Sequence, residues 1–170
     1  MSQAKQIGKK FAYIFWGLFL FLGYQFFDGQ LTKQHNPNQQ PHSFRSGEQS
    51  VLVLKRNRMG HYVTSGQING VPVTFLLDTG ATDVAVPQRV ADAIGLPYGA
   101  QISVGTANGR ATAYRTEIRN QNIGELRFNQ VRASILPGMK SDEILLGMSA
   151  LKQVEFSQRG DELTIKHFNQ

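Results

Sequence analysis

The chain has 170 residues and a formal net charge of +6, with 18 Lys and Arg against 12 Asp and Glu. This length fits one domain with extra segments, and the absence of cysteine excludes disulfides and thiolate metal sites. From Val51 onward there are 13 basic and 10 acidic residues, without a basic patch that contains interleaved aromatic side chains, so we expect no nucleic-acid partner.

The first predicted element is an uncharged stretch from Phe11 to Phe27, which lies between Lys10 and Asp28. As a helix it would span about 25 Å, slightly less than the roughly 30 Å of a bilayer's hydrocarbon core. Aromatic side chains near its ends, such as Tyr13 and Tyr24, suit the membrane interfaces. The sequence therefore predicts a transmembrane helix at residues 11–27.

Three lysines, at positions 5, 9 and 10, precede this stretch and no acidic residue does. Because positive charge favours the cytoplasmic side, we predict a cytoplasmic tail at residues 1–10 and the remainder of the chain outside the cytoplasm. A cleaved signal peptide is the alternative interpretation. The bulky Gln25-Phe26-Phe27 argues against it, because cleavage needs small residues at that point.

Residues 28–50 are dominated by Gln, Asn, His, Pro, Ser and Gly, with few apolar residues. Such a composition does not bury enough apolar surface to form a core, so we predict a flexible linker there. A coil of that length would hold the following domain a few tens of ångströms from the bilayer and would let two anchored copies meet.

The domain that follows begins with a predicted hairpin, Tyr62–Ile68 and Val71–Leu77, joined by Asn69-Gly70. Asn-Gly suits the type I′ turn of a two-residue hairpin. Pro72 has no backbone N–H, so its position is expected at an unpaired edge or a bulge.

The second strand of this hairpin runs straight into Asp78-Thr79-Gly80-Ala81. An acid at the end of an apolar strand is a costly placement, and such acids usually have a task. Gly80 lets the backbone turn sharply and lets another group approach closely.

A short strand Val84–Val86 is predicted next, followed by a helix from Pro87 to Ile94 that ends at Gly95. Its buried face is predicted to contain Val90, Ala93 and Ile94.

A second, more polar hairpin is predicted at Gln101–Ala107 and Arg110–Ile118, again around Asn-Gly. The remaining predicted strands are short and separated by turn residues: Ile123–Val131, Ala133–Leu136, Ile144–Leu146, Val154–Phe156 and Leu163–Ile165, with one helical turn at Met148–Lys152. This pattern predicts an all-β domain of closed or barrel-like form, with Phe128 and Val131 in its core.

The apolar run before Asp78-Thr79-Gly80-Ala81 resembles the active-site loop of aspartic proteases. A hairpin at Asn108-Gly109 and the segment Ile144-Leu145-Leu146-Gly147 follow in the order found in retropepsins. Residues 60 to 168 therefore resemble a retropepsin-type subunit, most similar to the bacterial type with one N-terminal membrane segment. The resemblance implies the closed β-barrel of the acid-protease fold at residues 51–170, with one or two short helices.

The resemblance also implies site residues. Asp78 would be the catalytic acid, Thr79 would lock two such loops together across a two-fold axis, and Gly80 would leave room for the peptide. The implied substrate-binding residues are Ala81, Asp83, Thr106, Ala107, Asn108 and Gly109. The hairpin that carries the last four is either a lid that closes over bound peptide or an ordinary surface hairpin, and Asp83 is either a subsite acid or solvated. No cofactor and no metal is implied.

Peptide hydrolysis by this route needs two carboxylates that share one proton. The chain has no second Asp-Thr-Gly or Asp-Ser-Gly, and Asp142 lacks the small residues that would follow. We therefore expect a symmetric homodimer with Asp78 contributed by each copy. Retroviral members usually carry an acid after the alanine and an Arg after the later glycine, whereas this chain has Thr82 and Met148, which leaves the strength of the dimer open.

Together with the apolar span at residues 11–27, the resemblance implies an aspartic endopeptidase anchored in the bacterial inner membrane, with its catalytic domain in the periplasm. The expected partners are a second copy, polypeptide substrates and the lipid bilayer. The alternative is a retropepsin-like module that binds peptides or proteins without cutting them. The intact Asp78-Thr79-Gly80 favours the enzyme, because a non-catalytic domain has no need of a costly buried acid.

Overall fold

A computed structural model describes residues 3–106 and 109–168, and it divides the chain into two units, Met1–His35 and Asn36–Gln170. In chain order the elements are α1 (Gln3–His35), β1 (His42–Ser46), β2 (Gln49–Lys55), β3 (Val63–Ile68), β4 (Val71–Leu77), β5 (Val84–Pro87), α2 (Gln88–Ala93), β6 (Gln101–Thr106), β7 (Gly109–Ile123), β8 (Leu126–Leu136), β9 (Ile144–Leu146), α3 (Met148–Leu151), β10 (Glu155–Arg159) and β11 (Glu162–Phe168).

The first unit is the single long helix α1, of 33 residues. Its part from Phe11 to His35 is long and apolar enough to cross a membrane, and none of that span is buried within the protein. By length and composition, a signal sequence near an N-terminus would pass the same test.

Residues 28–50 are predicted as a flexible linker, but in this structure they contain the end of α1, strand β1 and the first residues of β2. Helix α1 continues to His35 and ends where Asn36 precedes Pro37, because a residue before proline disfavours the helical conformation. Further on, β1 pairs with β2 across a turn at Gly47, whose φ is 62°. The buried Asn38 joins this segment to the domain, since its side-chain amide donates to the carbonyl of Val63 (2.7 Å).

The larger sheet has seven strands in the order β3-β4-β9-β5-β8-β7-β6. A further pairing of β3 with β7 joins the ends of a six-strand run into a barrel, although this seam consists of only two residue pairs. Strand β6 lies outside the ring and pairs with β7. The prediction of a mostly β, barrel-like domain with one or two short helices is confirmed.

The first predicted hairpin is confirmed as β3 and β4, with Asn69 (φ 50°) and Gly70 (φ 84°) in the left-handed conformations that a type I′ turn needs. Strand β9 pairs with β4 only from Phe75 onward. Pro72 therefore lies on an edge that β9 does not cover, as its missing N–H requires.

The smaller sheet has four strands in the order β1-β2-β11-β10, all antiparallel. Its inner strands β2 and β11 send alternate side chains into the core. The core contains buried side chains from both sheets: Leu52, Leu54, Ile68, Phe75, Ile118, Phe128, Val131, Ile135, Ile144, Leu146, Leu163 and Ile165.

Two local predictions need correction. Ala93 of α2 is predicted to be buried, but it is exposed, and Ala91 is fully buried instead. The helix starts directly after β5, and this starting point directs the side chain of Ala91 towards the core. Ile123 ends β7 rather than starting a strand, since Gly124 (φ 57°) makes the turn into a continuous β8.

Candidate active site

Asp78 follows directly after β4, whose Phe75 is fully buried, and the acid itself is half-buried. The backbone N–H of Gly80 donates to Asp78 Oδ1 at 2.9 Å, and the N–H of Ala81 donates to the Asp78 carbonyl at 3.2 Å. A Cβ at position 80 would lie 3.1 Å from Asp78 Oδ1, so glycine permits this close turn. The loop therefore fixes the carboxylate in one orientation and leaves Thr79 exposed.

Backbone hydrogen bonds tie this loop to β9 and the start of α3. The N–H of Asp78 donates to the carbonyl of Leu146 (3.2 Å), and the N–H of Met148 donates to the carbonyl of Ala81 (2.8 Å). The N–H of Ser149 donates to the carbonyl of Thr82 at 3.0 Å. Strand β9 and the start of α3 thus hold the Asp78 loop in place through backbone hydrogen bonds.

Gly147 lies directly behind the loop. A Cβ at this position would overlap the carbonyl oxygen of Asp83 and would lie 2.8 Å from the carbonyl oxygen of Ala81. Both atoms belong to the backbone, which cannot move away as a flexible side chain can. The close approach of the two segments therefore depends on the absence of a side chain at position 147.

Ser149 is a second link, which sequence reasoning missed. Its buried hydroxyl accepts a hydrogen bond from the N–H of Val84 (3.0 Å) and donates one to the carbonyl of Arg132 (2.7 Å). It therefore joins α3 to the strands β5 and β8. No local pattern marks this serine, because its partners are 65 and 17 residues away in the sequence.

We expect Ser149→Ala to lower the free energy of unfolding by about 2 to 3 kcal/mol, because the buried N–H of Val84 and the partly buried carbonyl of Arg132 both lose their partner. Chemical denaturation of the full chain measures the change. The matched control is Ser103→Ala, on the exposed face of β6, which should stay within about 0.5 kcal/mol of the wild type. Equal losses in both variants would contradict the role of the hydroxyl.

Asp83 has an ion-pair partner that the sequence did not reveal. Its Oδ1 lies 2.7 Å from Nε of Arg132 on β8, with 23% of the Asp83 side chain exposed. Thr82, which replaces the usual acid, is exposed, and Met148 is half-buried. This chain thus lacks the acid and the arginine that pair in retroviral members of the family. Asp83, the residue after Thr82, instead forms an ion pair with Arg132 on β8.

The second hairpin is formed by β6 and β7, with Thr106 opposite Gly109. The hydroxyl of Thr106 donates to the Gly109 carbonyl at 2.8 Å, across the base of the tip. Ala107 and Asn108, two of the predicted substrate-binding residues, lie outside the described residues. The role of this hairpin as a lid stays a prediction.

Asp142, the other acid considered, is engaged elsewhere. It forms an ion pair with Arg89 of α2 at the rim of a groove of about 450 Å³, which is lined by Val71, Pro72, Val73, Thr74, Arg89, Val90, Ala93, Ile94 and Asp142. Asp78 is not part of this groove. Each chain therefore has a single carboxylate in an Asp-Thr-Gly loop, that of Asp78.

Other side chains that could act in catalysis or bind a metal lie in an environment that suits a structural role instead. His167 is half-buried, with its ring centroid 5.2 Å from that of Phe128, and burial lowers its pKa and favours the neutral ring. Within residues 3–106 and 109–168, no three His, Asp or Glu side chains come together as a metal site would need.

Comparison with known proteins gives concordant results. A family model described as "gag-polyprotein putative aspartyl protease" matches residues 64–153. An uncharacterised protein from the cobV 5′ region of Sinorhizobium sp is 36% identical over 124 residues, which cover 71% of this chain and 53% of that protein. An uncharacterised protein of Rickettsia prowazekii is 28% identical over 128 residues, which cover 72% and 54%. The chain therefore spans about half the length of these curated relatives.

A solved structure is also similar. The crystal structure of a retropepsin-like aspartic protease from Rickettsia conorii matches with a TM-score of 0.60 and 28% sequence identity. The match covers 75% of this chain and 96% of that one.

Proposed function

This chain belongs to the retropepsin-like aspartic protease family, and from that premise we propose that it is an aspartic endopeptidase active as a homodimer. The observation that carries the proposal is the fixed carboxylate of Asp78 at the end of β4, held by Gly80 and tied to β9. The sequence encodes one such loop, so a second copy supplies the other carboxylate.

In the proposed dimer the two Asp78 carboxylates share one proton, because two like charges a few ångströms apart do not both ionise. The ionised member takes a proton from a water molecule, which attacks the scissile carbonyl, and the protonated member donates to the carbonyl oxygen. Thr79, which is exposed in the single chain, would meet its counterpart across the two-fold axis of this dimer.

We assign substrate contacts to Ala81 beside the catalytic loop and to the hairpin residues 106–109. The ion pair of Asp83 with Arg132 gives this acid a fixed position at the edge of the same loop, from which it would contact peptide as a subsite acid. Closure of the hairpin over bound peptide would exclude water from the reacting groups.

We further propose that α1 anchors the enzyme in the bacterial inner membrane with its N-terminus in the cytoplasm. The support is the apolar span Phe11–His35 and the lysines that precede it. The catalytic domain would then face the periplasm. Two-dimensional confinement raises the local concentration of the chains, which would favour pairing even of a weak dimer.

The test is cleavage of a peptide library by the full chain in detergent, from acid to neutral pH. We expect a bell-shaped pH dependence of the cleavage rate, because the mechanism needs one carboxylate of the pair ionised and the other protonated. Below the dimer dissociation constant, the rate should fall with the square of the chain concentration, because each active site needs two chains. Cleavage products identified by mass spectrometry give the readout.

Two results would contradict this proposal. A rate that stays proportional to concentration under all dilutions would reject the two-chain site. No cleavage at any pH, together with saturable peptide binding, would favour the non-catalytic binding module.

A further inference from the structure

The side chain of Arg132 is attached to the end of the Asp78 loop, residues 78–83. Arg132 lies on β8, which runs parallel to β5 with Val84 level with Ala133. The residues that precede these two, Asp83 and Arg132, therefore lie at the same level. The Nε of Arg132 donates to Asp83 Oδ1 at 2.7 Å, and such hydrogen bonds between charged groups are stronger than neutral ones. The guanidinium thus holds the last residue of the loop before β5 begins.

The main chain of Arg132 forms a second attachment at the same place. Its carbonyl accepts a hydrogen bond from the Ser149 hydroxyl (2.7 Å), which itself accepts the N–H of Val84 (3.0 Å). Two consecutive residues, Asp83 and Val84, are therefore both connected to Arg132, the first directly and the second through Ser149. Position 132 is thus a fixed point for the end of the loop.

The other attachments of the loop come from a different part of the chain. Backbone hydrogen bonds join the loop to residues 146–149, at the end of β9 and the start of α3. In the sheet, β9 lies between β4 and β5, and β8 lies on the far side of β5. The loop is therefore held along its length by β9 and α3, and at its far end by Arg132. Because this loop carries the carboxylate of Asp78, movement at either point changes the placement of that carboxylate.

A second carboxylate also lies near Arg132. Glu117 of β7 is directly opposite Arg132 in the antiparallel pair of β7 and β8, and such opposite residues have Cβ atoms about 4.5 to 5.5 Å apart. In this structure, however, Nε of Arg132 contacts Asp83. The Asp83 side chain is 23% exposed, whereas Glu117 is an exposed residue. Since water and salt screen a partly buried charge pair less, the pair with Asp83 is the stronger one.

We propose that Arg132 is a positioning residue for peptide hydrolysis, which acts through Asp83 to fix the end of the loop that carries the catalytic carboxylate. This inference rests on the proposed function of Asp78. It gives Asp83 a task within the chain besides its contact with peptide. Because Arg132 acts on the placement of a reacting group, its loss should lower kcat and kcat/KM together and leave KM unchanged.

The first experiment is Arg132→Met in the full chain, which removes the guanidinium and keeps a long side chain. We expect kcat for a cleaved library peptide to fall about tenfold with KM within about twofold of the wild type, because small displacements of reacting groups cost rate. The matched control is Arg127→Met, the same change at an exposed position of β8, which should leave both constants unchanged.

The conservative variant Arg132→Lys tests the contact itself. The hydrogen bond to Asp83 uses a single donor, Nε, and a lysine ammonium can supply one donor and the same charge. We therefore expect kcat of Arg132→Lys to stay within about threefold of the wild type. A loss equal to that of Arg132→Met would contradict the role of this charged hydrogen bond.

The second experiment tests whether Arg132 acts through Asp83. In a chain that already carries Asp83→Ala, Arg132→Met should cause no further loss of kcat, since the contact is already removed. A further loss of about tenfold in that background would show that the two residues act independently and would reject the proposed route. Glu117→Gln should leave kcat unchanged. A loss equal to that of Arg132→Met would mean that Arg132 acts through β7 instead.

Hydrogen–deuterium exchange of the full chain without substrate gives a measurement that does not depend on cleavage. The N–H groups of Ala81 and Val84 are hydrogen-bonded, and such groups exchange when a segment opens locally. We expect Arg132→Met to speed exchange within residues 78–84 at least about threefold, whereas Arg127→Met should leave it unchanged.

The outcomes separate this inference from the proposed function. If Arg132→Met speeds exchange of the loop but the wild type cleaves no peptide at any pH, the attachment through Arg132 stands and the catalytic proposal fails. If the wild type cleaves peptide while Arg132→Met keeps both its kcat and its exchange, the function stands and the role of Arg132 is wrong. A rise in KM with unchanged kcat would also overturn the inference, because Arg132 would then bind substrate rather than position the loop.

Discussion

Replacing Asp78 with Asn is expected to lower the turnover number for peptide hydrolysis by at least about a thousandfold while leaving the fold intact. The amide neither takes a proton from water nor shares one with a second carboxylate, so both halves of the acid–base chemistry are lost. The Asn side chain still accepts the hydrogen bond from Gly80 that Asp78 Oδ1 accepts now, and the loop should keep its conformation. Steady-state kinetics on a cleaved library peptide measure the effect.

The matched control is Asp92→Asn, the same chemical change on the exposed surface of α2, where the carboxylate accepts a hydrogen bond from Tyr98. This variant should keep its activity. Undiminished cleavage by Asp78→Asn would reject the catalytic assignment.

The same variant tests whether two chains share one site. In an equimolar mixture of wild type and Asp78→Asn that pairs at random, only about a quarter of the dimers contain two Asp78 residues. We therefore expect excess variant to inhibit a fixed amount of wild type. If the added variant left the cleavage rate of the wild type unchanged, each chain would act alone.

The parts of the fold that could be predicted are those encoded by neighbouring residues. Asn69-Gly70 specifies a tight turn by its own backbone preferences, and the alternation on either side specifies the strands. The loop at Asp78 was equally visible, because an acid, a hydroxyl residue and two small residues after an apolar strand form a local pattern.

The contacts that hold this loop could not be predicted, because they join residues far apart in the sequence. The ion pair of Asp83 with Arg132 spans 49 residues and the hydrogen bond of Val84 with Ser149 spans 65. Strand β1 was missed for a related reason. Its residues His42–Ser46 are polar and exposed, and they form a strand through pairing with β2 rather than through their own hydrophobic pattern.

Gly147 shows how a local sequence pattern and contacts between distant residues combine. Its apolar-apolar-glycine setting was recognised from the sequence, but the physical need for glycine appears only from the fold, where the backbone of residues 81–83 passes directly behind it. We expect Gly147→Ala to lower the free energy of unfolding by about 3 kcal/mol, because the added methyl group must push two backbone segments apart. For a domain of this size, that change lowers the melting temperature by roughly 10 °C.

The effect on activity should exceed the effect on stability. Displacement of the 81–83 backbone would break the hydrogen bonds from Met148 and Ser149 that position the loop, and small errors in the placement of reacting groups cost about a hundredfold in rate. Thermal unfolding and peptide cleavage of the same preparation measure both. The control is Gly138→Ala, where no atom lies within 4 Å of the new Cβ and φ is not positive. If Gly147→Ala matched Gly138→Ala in both measurements, the close packing of α3 against the Asp78 loop would not be what fixes the catalytic carboxylate.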